Sequence, residues 1–215
     1  MLEINDLSFK YSNETILENI NLTVYRGDYI ALIGSNGAGK STLIKLILHQ
    51  LKPISGTSIF HTKNGIKDIG YVPQLSITSS LEFPITVYEL VSLGLYPKNK
   101  GFRKLDKVDN EKIYEALNLV GMKDYSKNLY TALSGGQRQR VLIAKTLVST
   151  PEFLILDEPM TGIDKHSKSS LFTLLNHINK EHNITILMIT HNLEEVERNV
   201  NKIYQIKDKR LLQVK

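Results

Sequence analysis

The 215-residue chain contains no cysteine, which excludes a disulfide framework or a cysteine-ligated metal centre and is compatible with a reducing compartment. It has no apolar run near the ~20 residues that a membrane-spanning helix requires. Its opening, MLEINDLSFKY, lacks the apolar core of a secretory signal. A strong charge imbalance is missing too. Against 22 acidic residues stand 27 basic ones, a formal charge of +5, which suits a solvated surface and does not demand an anionic polymer as partner. The one dense basic stretch, Lys98 to Lys104, has no aromatics spaced for base stacking, so nucleic acid is not an expected partner. The six histidines form no ligand-like cluster. What the length allows is one good core, with room for a smaller attached subdomain.

What is present starts at Gly34, Ser35, Asn36, Gly37, Ala38, Gly39, Lys40, Ser41 and Thr42. This stretch fits GxxxxGK[ST], a phosphate loop. Its glycines let successive N–H groups point inward as a nest for anionic oxygens. Lys40 brings a mobile positive charge to the outer phosphates, and the Ser41 hydroxyl suits Mg²⁺. The preceding run Tyr29 to Ile33 is a buried-strand pattern, and STLIKLILHQL after it has helical spacing. The loop therefore opens a helix, whose dipole faces the phosphates. A glycine-rich turn that binds nothing explains none of this context.

Elsewhere the N-terminal half reads as strands: Leu2 to Tyr11, Ile16 to Val24, Thr57 to Phe60 and Ile69 to Val72. Tyr11, at a strand end, serves either as an edge-strand aromatic or as a flat surface for an adenine ring. Gln74 follows Pro73, where the strand must stop; it is either a plain loop residue or a group delivered to a polar site. From Leu75 strand alternation gives way to helical periodicity through Val148, an apparent helical insertion in a nucleotide-binding core. Thr86 with Glu89 makes a capping box. Asp106 or Asp109 caps the next helix, whose inner face carries Ile113, Ala116, Leu117 and Val120 and which Gly121 ends. Leu81, Phe83, Ile85, Tyr88, Leu95 and Tyr96 supply apolar surface around its first helix, for packing and in part for docking.

Leu133-Ser134-Gly135-Gly136-Gln137 then heads a helix expected to run to Thr150, before Pro151. Ser134 with Gln137 is itself a capping box, yet two adjacent glycines weaken a helix start unless something approaches the backbone closely. The same groups would form a second anion site. Phe153 to Leu156 is a buried strand that delivers Asp157 and Glu158 at its C-terminal end, where α/β sheets place ligands. Asp157 suits a Mg²⁺ partner through water, and Glu158 the polarisation of an attacking water. A further buried strand, Ile184 to Ile189, ends in Thr190-His191. An isolated histidine at a strand end is usually a bystander; here it falls at the same sheet end as the phosphate loop, which favours a γ-phosphate contact. Asn192 with Glu195 caps a short helix, and two short strands close the chain.

With these residues together, the chain resembles the nucleotide-binding subunit of ABC transporters over its whole length. The resemblance supplies Tyr11 as the adenine aromatic, Walker A at Gly34–Thr42, a Q-loop at Gln74, the LSGGQ signature at Leu133–Gln137, Walker B at Phe153–Glu158, a D-loop around Asp164 and the switch His191. The D-loop reads Thr161-Gly-Ile-Asp164, where many relatives have Ser-Ala-Leu-Asp. The fold it implies is α/β, a P-loop NTPase core with an antiparallel β subdomain and a helical subdomain over about 75–148, the core being 1–74 and 149–215. It implies ATP and Mg²⁺, with Ser41, Gln74 and Asp157 organising the ion, Lys40 on the phosphates, Glu158 orienting water and His191 sensing the γ-phosphate. It also implies a second copy of the chain, head to tail, so that each ATP lies between one copy's Walker A and the other's Ser134, Gly135, Gly136, Gln137 and Asp164. Integral membrane permease subunits at the cytoplasmic face and, indirectly, an extracytoplasmic metal-binding protein complete the implied assembly. The segments Gly70–Gln74 and Glu82–Gly94 are similar to those of the zinc/manganese uptake branch; siderophore and cobalamin importers, which share the following Tyr96-Pro97, are its rivals. DNA-maintenance relatives insert long coiled coils, and Leu75 to Thr131 has no sustained heptads. Translation-factor relatives carry two heads, more than this length holds. A non-hydrolysing switch is disfavoured by the intact Glu158.

Overall fold

A computed structural model describes residues 1–74, 84–98 and 105–215. Strands β1 (Leu2–Tyr11), β2 (Glu14–Val24) and β4 (Ser55–Phe60) form an antiparallel sheet in the order β2-β1-β4. Ile20, Leu22 and Val24 all face inward from β2, the alternation that a half-buried strand requires. Strand β4 begins two residues before the expected Thr57, because Ser55 pairs with Ser8.

The second sheet has the order β5-β6-β7-β3-β8-β9, built from β3 (Tyr29–Ile33), β5 (Ile69–Val72), β6 (Phe153–Asp157), β7 (Thr185–Thr190), β8 (Lys202–Lys207) and β9 (Arg210–Gln213). All pairings are parallel except β8 with β9. Strands β3, β6 and β7 are buried at every residue, as continuous apolar runs must be when both sheet faces are covered. One face carries the cluster of Ile30, Leu32, Phe153, Ile155, Leu187 and Ile189, packed with helix α1 (Lys40–Ile47) and the antiparallel sheet. The other carries Tyr29, Ala31, Leu154, Leu156, Ile186 and Met188 against the remaining helices.

Those helices are α2 (Val87–Ser92), α3 (Lys107–Leu119), α4 (Gly135–Leu147), α5 (Lys165–His182) and α6 (Leu193–Val196). Thr86 and Glu89 close a capping box on α2. Asp106 is the cap of α3, and Asp109 is its reciprocal partner at the third helical position. Ile113, Ala116, Leu117 and Val120 are buried, and Gly121 turns away in the left-handed region (φ 71°). Helix α4 stops earlier than its pattern suggests: Leu147 is its last residue, and Thr150 takes a left-handed backbone (φ 51°) before buried Pro151. The chain must turn there to enter β6. Leu81, Phe83 and the basic stretch from 99 to 104 lie outside the described residues. Among the described residues no helix is long and apolar enough to cross a membrane.

Candidate functional site

The C-terminal ends of β3, β6 and β7 meet at one edge of the parallel sheet, and their loops build the site. After β3 the loop bends at Gly37 and Gly39, both in the left-handed region (φ 81° and 101°) that glycine enters without a Cβ penalty. Gly39 is the N-cap of α1 and offers no side-chain cap, whereas α2, α3, α4, α5 and α6 are capped by Thr86, Asp106, Ser134, Asp164 and Asn192. The first N–H groups of α1 are thus left for an external acceptor, and the dipole favours an anionic one. Lys40 is nearly buried, and its ammonium donates to the carbonyls of Gly34 (2.8 Å) and Ser35 (3.0 Å). Those two loop residues hold the charge in place beside the nest.

A cleft of about 550 Å³ is lined by Tyr11, Ile16, Asn36, Gly37, Gly39, Lys40, Ser41, Thr42, Gln74, Asp157, Glu158, Thr161 and His191. Residues from five separate stretches of the sequence converge there. Tyr11 is half exposed and stacks edge-on against Phe9 with ring centroids 4.8 Å apart. Its free face suits a planar ring. The Ser41 hydroxyl, the Gln74 amide and the Asp157 carboxylate give the cleft an all-oxygen donor set, the kind a small hard cation takes.

Asp157 ends β6 almost out of solvent. Burial raises its carboxyl above the ordinary range; the Tyr71 hydroxyl, which donates to Oδ2 at 3.3 Å, opposes the rise, Glu158 adds to it and Lys40 opposes it. The Tyr71 phenol is itself pushed up to about 12, by burial first and by the Asp157 charge second. Glu158 leaves the strand with a left-handed backbone (φ 50°) while its N–H stays bonded to Ile189 on β7 (3.0 Å). Such a backbone in a non-glycine residue persists only where the surrounding structure holds it, here in part through that bond. The Glu158 carboxylate lies 2.9 and 3.1 Å from His191 Nδ1 and accepts from the Thr161 hydroxyl at 3.2 Å. Its side chain is 11% exposed against 60% for His191, so the pair joins an inner carboxylate to an outer imidazole. Such a pair can orient a water beside a phosphate and follow that phosphate's departure.

The remaining candidates stand elsewhere. Ala38 lines an adjoining hollow with Ser35 and Gln205. Ser134, Gly135, Gly136, Gln137 and Asp164 do not line the cleft. Ser134 and Gln137 close a capping box at the start of α4, with the Gln137 N–H 3.3 Å from Ser134 Oγ. The adjacent glycines have a reason inside the chain. A Cβ on Gly136 would meet Ser167 Cβ at 2.9 Å, and one on Gly135 would meet the Gly162 carbonyl at 3.1 Å. The start of α4 therefore lies directly against the start of α5, where Asp164 accepts from the Ser167 N–H (3.0 Å) and is held below the usual carboxylate range by the bonds from Ser167.

Two cleft-lining residues, Ile16 and Thr161, and Tyr71, which bonds Asp157, were not visible as site residues in the sequence. Ile16 looks like an ordinary strand position. Thr161 stands one turn past Glu158, and only the turn brings its hydroxyl back. Tyr71 reaches Asp157 because β5 pairs with β6 in the register Tyr71 to Ile155, a tertiary fact that no local pattern encodes.

Comparison with known proteins gives a consistent picture. The family model described as ABC transporter matches residues 17–161. The zinc uptake system ATP-binding protein ZurA of Listeria monocytogenes is 43% identical over 217 residues, covering 99% of this chain and 84% of that protein. The high-affinity zinc uptake system ATP-binding protein ZnuC of Bacillus subtilis is 38% identical over 209 residues, 96% of this chain and 90% of its own. Among solved structures, an inward-facing transporter described as of metal-chelate type superimposes with a TM-score of 0.90 at 30% identity, covering 99% of this chain and 82% of that one. A dimeric ATP-binding cassette in a post-hydrolysis state with ADP and phosphate gives 0.80 at 25% identity, over 100% and 99% of the two chains.

Proposed function

The chain belongs to the ABC transporter family, and from that premise we propose that it is the ATP-binding and hydrolysing subunit of a bacterial importer for zinc or manganese ions. The observation that carries this reading is the cleft itself, in a chain whose relatives, matched nearly end to end, are zinc-uptake ATP-binding proteins. In it an uncapped helix start, a lysine, an oxygen donor set and a carboxylate–imidazole pair face one space.

The adenine stacks on Tyr11, and the phosphates take the N–H groups of Gly34–Thr42. Lys40 exchanges its two carbonyl acceptors for β- and γ-phosphate oxygens. Ser41, Gln74 and Asp157 would hold Mg²⁺, Asp157 through water, and the ion would neutralise charge on those phosphates. Glu158 aligns a water and accepts its proton as the water oxygen bonds to the γ-phosphorus and the bond to the ADP oxygen breaks. His191 donates to the γ-phosphate and reports its loss. Positioned acid–base groups of this kind contribute about 10²–10⁴-fold.

Ser134, Gly135, Gly136, Gln137 and Asp164 complete the site in trans. Their position away from the cleft supports a head-to-tail pair of copies, each ATP lying between two protomers. Binding then closes the pair and hydrolysis opens it. In the same reading residues 1–74 and 149–215 are the core and 75–148 the helical subdomain that docks on the permease. The subunit sits peripherally on the cytoplasmic face of the membrane, and an extracytoplasmic metal-binding protein delivers the ion. A chelated metal is the second reading, favoured by the similarity to the metal-chelate type transporter. Deletion of the coding sequence decides between them. Growth failure and loss of cellular metal under zinc or manganese starvation, restored by the free ion, supports ion import. Normal metal content with loss of chelate uptake supports the second reading, and no change in either contradicts both.

A further inference from the structure

His191 sits in a short junction between β7 and α6, and α6 has only four residues. A helix that short has no stability of its own, since nucleation costs more than one turn returns. Its orientation, and with it the position of the His191 backbone, is set by what holds it. Val196 is buried on its inner side. The Asn192 side chain accepts from the Glu195 N–H (3.4 Å), while the Asn192 N–H donates to the Thr190 hydroxyl (3.2 Å). The contact that reaches the start of α5 is an ion pair: Lys168 Nζ lies 2.7 Å from Glu195 Oε1, with both side chains partly exposed, at 30% and 23%. Lys168 stands one turn after Asp164, and its N–H bonds to the Asp164 carbonyl at 2.9 Å. Glu195 stands one turn after His191. The ion pair thus joins the turn after the Asp164 loop to the turn after the histidine.

We propose that Lys168 and Glu195 are positioning residues for the hydrolysis step: their ion pair fixes where His191 stands relative to Glu158 and carries a shift of the Asp164 loop to that histidine. This rests on the reading above, in which Asp164 faces the second copy and His191 the nucleotide. The strut then gives each protomer a direct mechanical link from its interface with the partner to its own catalytic pair. Neither side chain touches the cleft. A partly exposed ion pair contributes little to folding, so its loss should be read in turnover and not in stability.

The test compares the full-length parent with Lys168→Met, Glu195→Gln, Lys168→Arg and the exchanged pair Lys168→Glu/Glu195→Lys. ATP turnover, KM, affinity for a fluorescent ATP analogue and melting temperature are measured for each. Both single neutral variants should lose roughly tenfold in kcat, the scale of a small misplacement of a catalytic group, with KM and analogue affinity within about twofold of the parent. Lys168→Arg should turn over like the parent, and the exchanged pair should recover at least half of the lost rate, a restoration that generic destabilisation would not give. Neutral variants with kcat within about twofold of the parent would overturn the proposal, as would an exchanged pair no faster than the single variants. A parent that hydrolyses no ATP would overturn the functional reading first, and that failure is visible before any variant is made.

Discussion

Replacing Glu158 by glutamine removes one charge and one proton acceptor and very little else. The amide oxygen can still accept from the Thr161 hydroxyl (now 3.2 Å from the carboxylate), and it keeps its place beside His191 Nδ1. The left-handed backbone at φ 50° costs glutamine no more than glutamate, since the two side chains are identical through Cγ. Folding and nucleotide binding should therefore be retained. What disappears is the group that takes the proton of the attacking water, a contribution of about 10²–10⁴-fold, or roughly 2.7–5.5 kcal/mol of barrier. Steady-state phosphate release at saturating Mg-ATP should fall by that factor, with the affinity for a fluorescent ATP analogue and the melting temperature close to those of the parent. Turnover within about threefold of the parent would refute the assignment of Glu158, because no other carboxylate but Asp157 lines the cleft among the described residues.

Three other expectations follow from the same geometry. Lys40→Met deletes the ammonium that now bridges two loop carbonyls; a lost charge-assisted bond of about 1.5–3 kcal/mol should raise the ATP dissociation constant some tenfold to hundredfold in equilibrium titration. Asp157→Asn should make the nucleotide-free protein more stable at neutral pH while weakening Mg²⁺-dependent ATP binding by about 10–100-fold. The sign follows from the raised carboxyl. The folded state holds the proton more tightly than the unfolded chain, so stability falls as pH rises from the ordinary value of 3.8 through the folded value, and asparagine escapes that loss. The stability gain should vanish below that window, as pH-dependent melting would record. Tyr29→Phe removes a buried hydroxyl that has no hydrogen-bond partner among the described residues. Denaturant unfolding should show a gain of about 1–2 kcal/mol with turnover unchanged.

Much of this was legible because the informative residues sit where a local pattern changes. Gly34–Thr42 announces itself by spacing, and the fully apolar runs before it and before Asp157 are the sequence form of a doubly covered parallel sheet. The cap of α3 was narrowed to Asp106 or Asp109, and only the fold separates cap from reciprocal partner. Thr150 was less legible: helical periodicity runs on to Val148, but the departure into β6 is decided by the sheet, so the helix ends at Leu147. Tyr71 and Thr161 were not legible as site groups, since one depends on strand register and the other on a turn. The double glycine at the start of α4 pointed to close approach, and the approaching groups are Ser167 and the Gly162 carbonyl of the same chain. Packing inside the protomer thus accounts for both glycines, at a helix start that Ser134 and Gln137 cap.

The most direct test of the nucleotide as a joint between two copies is the sedimentation mass of the Glu158→Gln variant with Mg-ATP, with ADP and with neither. The 24.4 kDa chain should double in mass only with Mg-ATP and keep the single-chain mass with ADP and with neither. A variant that binds ATP tightly, one per chain, yet stays at the single-chain mass at saturating Mg-ATP would contradict the account.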